Sequence, residues 1–169
     1  MRDHTRTRAA GLAAALAAGV LLVACSAEEQ TVPLEMRIVQ DTPAKSLTRM
    51  TMTVWGGDLT YYAHREILLT EADLTVAKPI QVDGAPAIEL VLSDEAREKL
   101  ADATRRNVGS RLGIILNGKL QCASVIDAPL ETGTVLVTGH MLEPTAKRYS
   151  RALTRGAVSQ SNPIVPDEM

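Results

Sequence analysis

Thiols, imidazoles and thioethers are the reactive groups this chain has to offer, and they are few: Cys25 and Cys122, His4, His64 and His140, and six methionines. Two cysteines make neither a four-thiolate zinc site nor a disulfide framework. The histidines show no HxH, HxxxH or HExxH spacing that would turn two imidazoles onto one metal ion. Met50 and Met52 alternate along a strand-like run, and paired thioethers suit Cu(I), although alternate methionines also serve as core filler. There is no GxSxG, no SxxK and no phosphate loop. Asp94-Glu95 falls at a helix start, where the helix dipole accounts for two acids without any proton transfer. Catalysis needs a nucleophile or base oriented by a third group. None is legible, so no catalytic residue, cofactor or metal site is assigned, and the chain reads as a binding or structural module, not an enzyme.

Cys25 has a different context. Arg2, Arg6 and Arg8 outnumber Asp3 at the amino terminus, and an apolar run of sixteen residues, Ala9 to Ala24, follows. A spanning helix needs about 20 such residues, whereas a signal-peptide core is shorter. The run closes on Leu22-Val23-Ala24-Cys25, which resembles the lipobox of bacterial lipoproteins. That resemblance implies cleavage before Cys25 and acylation (palmitate) of its thiol and new amino group, making Cys25 the lipid attachment site. Losing residues 1–24 removes three arginines and one aspartate, leaving 145 residues with a net charge of −4. One acyl chain holds a protein marginally and two or more anchor it stably, while an acidic surface gains nothing from anionic headgroups. Residues 25–33 then form a lipidated tether, whose Ser26–Pro33 part reaches at most about 26 Å. Ser26, where an aspartate would retain the protein at the inner membrane, implies the outer membrane in a diderm host, facing the periplasm or exterior. Cys122, left without a partner, sits in Leu120–Ile126 and reads as a small buried hydrophobe.

Composition narrows the partners. With 169 residues, a formal charge of −2 and 2% aromatics, the chain lacks both the basic stripe of a nucleic-acid binder and the rings of a stacking platform. The length allows one domain with tails.

The elements follow from periodicity and punctuation. Leu34–Val39 alternates as a strand, Pro43 breaks it, and Met50–Val54 alternates again before the Gly56-Gly57-Asp58 turn. Leu59–Leu69 reads as one strand, Thr70–Leu74 as a capped helical turn, and Leu74–Val82 as an edge or bulged strand because of Pro79. Asp83-Gly84 turns into Ala87–Leu92. Ser93 caps a helix that Gly109 stops; Ala96, Leu100, Ala103, Thr104 and Asn107 form its thin apolar stripe, and Arg97, Lys99, Arg105 and Arg106 its solvated face. Asn117-Gly118 between Leu112–Leu116 and Leu120–Ile126 is a type I′ hairpin signal. Thr134–Val137 is a strand closed by Gly139, and Pro144 opens a last helix reaching about Leu153, with Glu143 as cap and Gly156 as stop. The expectation is an α+β domain over 34–157, an antiparallel sheet with two helices packed on one face, and a flexible tail over 158–169.

Thr104–Lys119 (TRRNVGSRLGIILNGK), Ala123–Ile126 and Val137-Thr138-Gly139 resemble the P1 head domain of SecD, the accessory subunit of the bacterial preprotein translocase. Leu68–Leu74 and Gly84–Ile88 are similar upstream, so the likeness runs from about Leu34 to Gly156. It implies a P1-head-like, ferredoxin-flavoured fold and a role in binding polypeptide during export. Ser124 stands where the family has proline, and Leu142 where it has a threonine or serine cap. SecD also carries membrane helices that couple proton flow to movement, and no such helix follows the leader here, so motor activity is not expected. Three functions compete: a lipid-anchored, non-catalytic domain that grips translocating polypeptide, an assembly lipoprotein of a folded envelope complex, and a small-ligand or metal binder. The third requires His64, His140, Met50 and Met52 to converge.

Overall fold

The computed structural model describes residues 32–161. The leader 1–24, Cys25, Ser26 and the last residues of the expected tail lie outside the described residues. Strand β1 (Leu34–Gln40) is the axis of the molecule. Leu34, Met36 and Ile38 are buried on one face, while Val39 is fully buried on the other, so this strand is covered from both sides. Strands β2 (Thr48–Val54) and β3 (Gly57–Ala63) form a hairpin, and a two-residue β4 (Leu69–Thr70) returns to pair with β1. The larger sheet adds β7 (Arg111–Leu116) and β8 (Lys119–Val125), in the order β2-β3-β1-β7-β8. A second sheet, β5-β6-β9, is built from Leu74–Val82, Ala85–Leu92 and Thr134–Val137. All pairings are antiparallel.

The α+β class is as expected, but the strands divide between two sheets. Alternation says which face of a strand is buried and nothing about which neighbour it pairs with. The expected strand Leu59–Leu69 is two pieces. His64 N donates to the Ile38 carbonyl and Leu68 N to that of Met36, so the intervening residues loop out from β1 and rejoin it. Pro79 lies on β5, an edge strand of the smaller sheet, where its missing N–H costs no ladder bond, and a bulge sits between Leu74 and Val76.

Helix α1 (Asp94–Arg106) is capped by Ser93, whose hydroxyl accepts from Ala96 N at 3.2 Å. Its buried stripe is Ala96, Leu100, Ala101, Ala103 and Thr104. The Thr104 hydroxyl donates to the Leu100 carbonyl at 2.7 Å and accepts from Leu130 N at 2.9 Å, pinning the following loop to the helix. Helix α2 (Glu143–Ser161) starts with the Leu142 carbonyl accepting from Thr145 and Ala146, so Pro144 is its second residue. It does not stop at Gly156. Gly156 faces the 3₁₀ turn Glu71–Asp73, where a Cβ would touch Glu71 Cγ at 3.4 Å, an ordinary contact, and Ala157 beyond it is buried. The expected tail therefore begins as helix.

Two cores result. The inner one collects Leu34, Met36, Ile88, Leu90, Leu100, Leu116 and Leu153 with other residues of both sheets and both helices. The outer one is small: Val39, Met52, Tyr61, Ala63, Ile115 and Leu120. The β2–β3 hairpin makes it by folding over the outer face of β1, β7 and β8. Gly113 leaves room in it for Val39, since a Cβ at that position would meet Val39 Cγ1 at 2.5 Å.

Candidate functional site

Because the hairpin folds over, β2 comes back beside β8, although the two stand at opposite ends of the strand order. Between them and the start of α2 lies a groove of about 520 Å³. Thr51 and Thr53 present the exposed face of β2, Lys119 and Gln121 come from β8, and Leu142 and Tyr149 from the far wall. Among the described residues no strand pairs with the outer edge of β2. The outer edge of β8 is different, because residues 138–139 run along it. At Gly139, with φ +155°, a Cβ would lie 2.7 Å from the Gln121 carbonyl oxygen. This glycine lets the β9–α2 connection seat on β8 and form the groove's end.

His140 lines that end, and Trp55 crosses to meet it from the tip of the β2–β3 hairpin. The rings stack edge to face with centroids 4.7 Å apart and planes at 79°. Trp55 nevertheless remains 89% exposed and Leu142 75% exposed. The hairpin tip is braced from below by Thr53, whose hydroxyl donates to Asp58 Oδ1 at 2.8 Å. The rim of the groove is therefore apolar and solvent-facing, and its interior mixes hydroxyls, amide and ammonium with apolar surface from Leu120, Met141 and Tyr149.

The residues weighed for metal chemistry are engaged separately. His64 Nε2 lies 3.3 Å from Gln40 Oε1, His140 stacks on Trp55, Met52 is buried in the outer core and Met50 packs against it. Among the described residues no three His, Cys, Asp or Glu side chains are grouped to hold a metal ion. Cys122 is buried on β8, and burial pushes its thiol up to about 11, outweighing hydrogen bonds with the Thr138 and Ile114 backbone. The thiol is protonated and unreactive at neutral pH. Arg97, Lys99, Arg105 and Arg106 are exposed, and Arg105 is paired with Asp102 at 2.6 Å and Glu131 at 3.2 Å. Arg97 lies 3.8 Å from Asp94, so two of the four cations on this face are offset by nearby acids.

Trp55 and Gln121 were not singled out by the residue pattern, which registered only the turn at Gly56-Gly57-Asp58. The usable signal was the chain's single tryptophan directly before two glycines, a place where a large ring cannot be buried by its own strand. No helix among the described residues is long and apolar enough to cross a membrane.

Comparison with known proteins places this architecture. The chain is 32% identical over 92 residues to the protein translocase subunit SecDF of Thermus thermophilus, covering 54% of this chain and 12% of that protein. It is 36% identical over 75 residues to SecD of Sebaldella termitidis, covering 44% of this chain and 18% of the relative. It thus spans under a fifth of the length of either. A solved structure of SecDF, described as a membrane component that enhances protein export, superposes with a TM-score of 0.59 and 25% identity, over 75% of this chain and 63% of that one. The family defined by the SecDF P1 head subdomain matches residues 47–159, which include the β2–β3 hairpin, both walls of the groove and α2 almost to its end, and the chain belongs to that family.

Proposed function

We propose that this protein is a lipid-anchored, non-catalytic component of the bacterial cell envelope whose P1 head domain binds extended polypeptide in connection with export. The observation that carries the reading is the open edge of β2 beside the groove. An unpaired strand edge offers backbone donors and acceptors to any extended chain, and a neighbouring concavity accepts side chains without demanding a sequence. Membership of the P1 head family supports it, as does the export role described for SecDF. The lipobox at Leu22–Cys25 supplies attachment, with acylation of Cys25 holding the head within tether reach of the bilayer.

The test is site-specific photocrosslinking in cells from the full-length protein carrying the crosslinker at Gln121. Many exported chains caught in an unfolded state are the expected product. Glutamate at both Thr51 and Lys119, exposed positions that line the groove, should reduce those products severalfold. A single stoichiometric folded partner at Gln121 overturns the polypeptide reading in favour of an assembly role, and so does crosslinking unaffected by the two glutamates.

A further inference from the structure

The groove's rim carries something that polypeptide binding along β2 does not use. Trp55 and Leu142 are the two most exposed large apolar side chains among the described residues, and they come from elements far apart in sequence. An isolated apolar side chain on a surface needs no explanation, but a tryptophan held out in water by a ring stack does. The His140 contact fixes the indole's direction without covering it.

The path of the chain tells what lies nearby. The Pro33 carbonyl accepts from Asn117 N at 2.9 Å, so the residues before β1 leave the domain beside the β7–β8 turn. Leu34 pairs with Leu116 and Leu116 with Lys119, which itself lines the groove. The exit is thus about two strand spacings, roughly 10 Å, from the groove wall. Eight residues, Ser26 to Pro33, separate that exit from Cys25, a contour of at most about 26 Å. A bilayer holding acylated Cys25 lies within reach of the Trp55–Leu142 rim.

We infer that the Trp55–Leu142 rim is a membrane-contact surface, on which the anchored head rests against the phospholipid interface. Indole rings favour the headgroup boundary, where an apolar body and a polar N–H are both satisfied, and an aliphatic neighbour adds apolar area. Attraction to anionic lipid is not the driving force. The cations on this side, Lys119 and Lys147, are offset by Asp58 just behind the hairpin tip and by Glu143 beside Leu142, which is paired with Lys147 at 2.6 Å. The contact is therefore apolar and insensitive to salt and to anionic lipid content. This inference rests on the acylation of Cys25 proposed above.

Trp55 is the chain's one tryptophan, so it reports its own surroundings. The acylated protein, purified from membranes, is reconstituted into phosphatidylcholine vesicles with and without phosphatidylglycerol. Emission should move to shorter wavelength, acyl-brominated lipid should quench it, and quenching by aqueous iodide should fall severalfold, equally in both lipid mixtures. Leu142→Asp, at an exposed site, should restore much of the iodide quenching while the protein stays vesicle-bound. Mass spectrometry of the amino-terminal peptide separates the failures. Acylated Cys25 with Trp55 still open to iodide and blind to bromolipid overturns the contact and leaves the anchor standing. A free Cys25 overturns both. A blue shift produced only by adding a denatured polypeptide, with no bromolipid quenching, assigns the rim to polypeptide and overturns the contact as well.

Discussion

The inner and outer cores differ in how they are tied together. The inner core is closed by two sheets and two helices, and β1 runs against β7 from Leu34–Leu116 to Val39–Arg111. The outer core is closed by one hairpin, and that hairpin joins β1 only where Val39 faces Ala63 and Gln40 faces Tyr62. The hairpin carries the open β2 edge and Trp55, so the parts proposed to meet other molecules hang on the weaker attachment. Local opening free energies follow buried apolar contact, and binding elements are drawn from the low end of that range. Stability and the proposed recognition thereby fall on different faces of the same three strands.

The sharpest way to break this division is to truncate one residue on each side. Leu116, fully buried in the inner core between β1 and β8, should cost about 2–5 kcal/mol as Leu116→Ala, because the surrounding strands cannot close the cavity. Urea unfolding of the full-length protein checks it: the midpoint should fall with the slope unchanged. Met52→Ala in the outer core should cost about 2 kcal/mol, the low end for such a truncation, since a hairpin can settle onto β8 where a sheet cannot. Its signature should be local, with amides of β2 and β3 exchanging faster while those of β7 keep their protection. If the two substitutions cost the same and exchange rises everywhere, the two cores are one cooperative unit.

What the sequence disclosed follows the range of the physics involved. Turns that force left-handed backbone were readable, because Asn117 at φ 50° and Asp83 at φ 51° are choices made within two residues. The cap at Ser93 and the stripe from Ala96 to Thr104 were equally local. Gly156 misled because a glycine ends a helix by adopting positive φ, and here it keeps helical backbone while α2 packs against the turn that holds Glu71, more than eighty positions away. The outer core left a trace that strict alternation overlooks: Ile38-Val39 in β1 and Ile114-Ile115 in β7 are adjacent apolar pairs, as expected of strands buried on both faces. The groove was not legible at all. It exists only because a hairpin folds back over its own sheet, and its lining comes from β2, β8 and α2 at once.

The last effect involves no loss of stability. Cys122 points into the inner core from β8, directly behind the strand that forms the groove wall, and burial holds its thiol at about 11. Thiolate is the reacting species, so modification at neutral pH requires the thiol to reach water, where its ordinary acidity returns. A group whose folded-state value is raised by burial loses stability as pH climbs past the ordinary value of 9.0 and toward about 11, since the unfolded chain sheds the proton first. Between pH 6 and pH 8 no such loss is expected (roughly, by that sign). Over that range, alkylation of Cys122 in the native protein should be far slower than exchange of β2 and β3 amides, and should accelerate with urea in step with global unfolding. Labelling as fast as hairpin exchange would mean that β8 opens together with β2, and the division between a stable inner face and a mobile recognition face would then fail at the strand where the two meet.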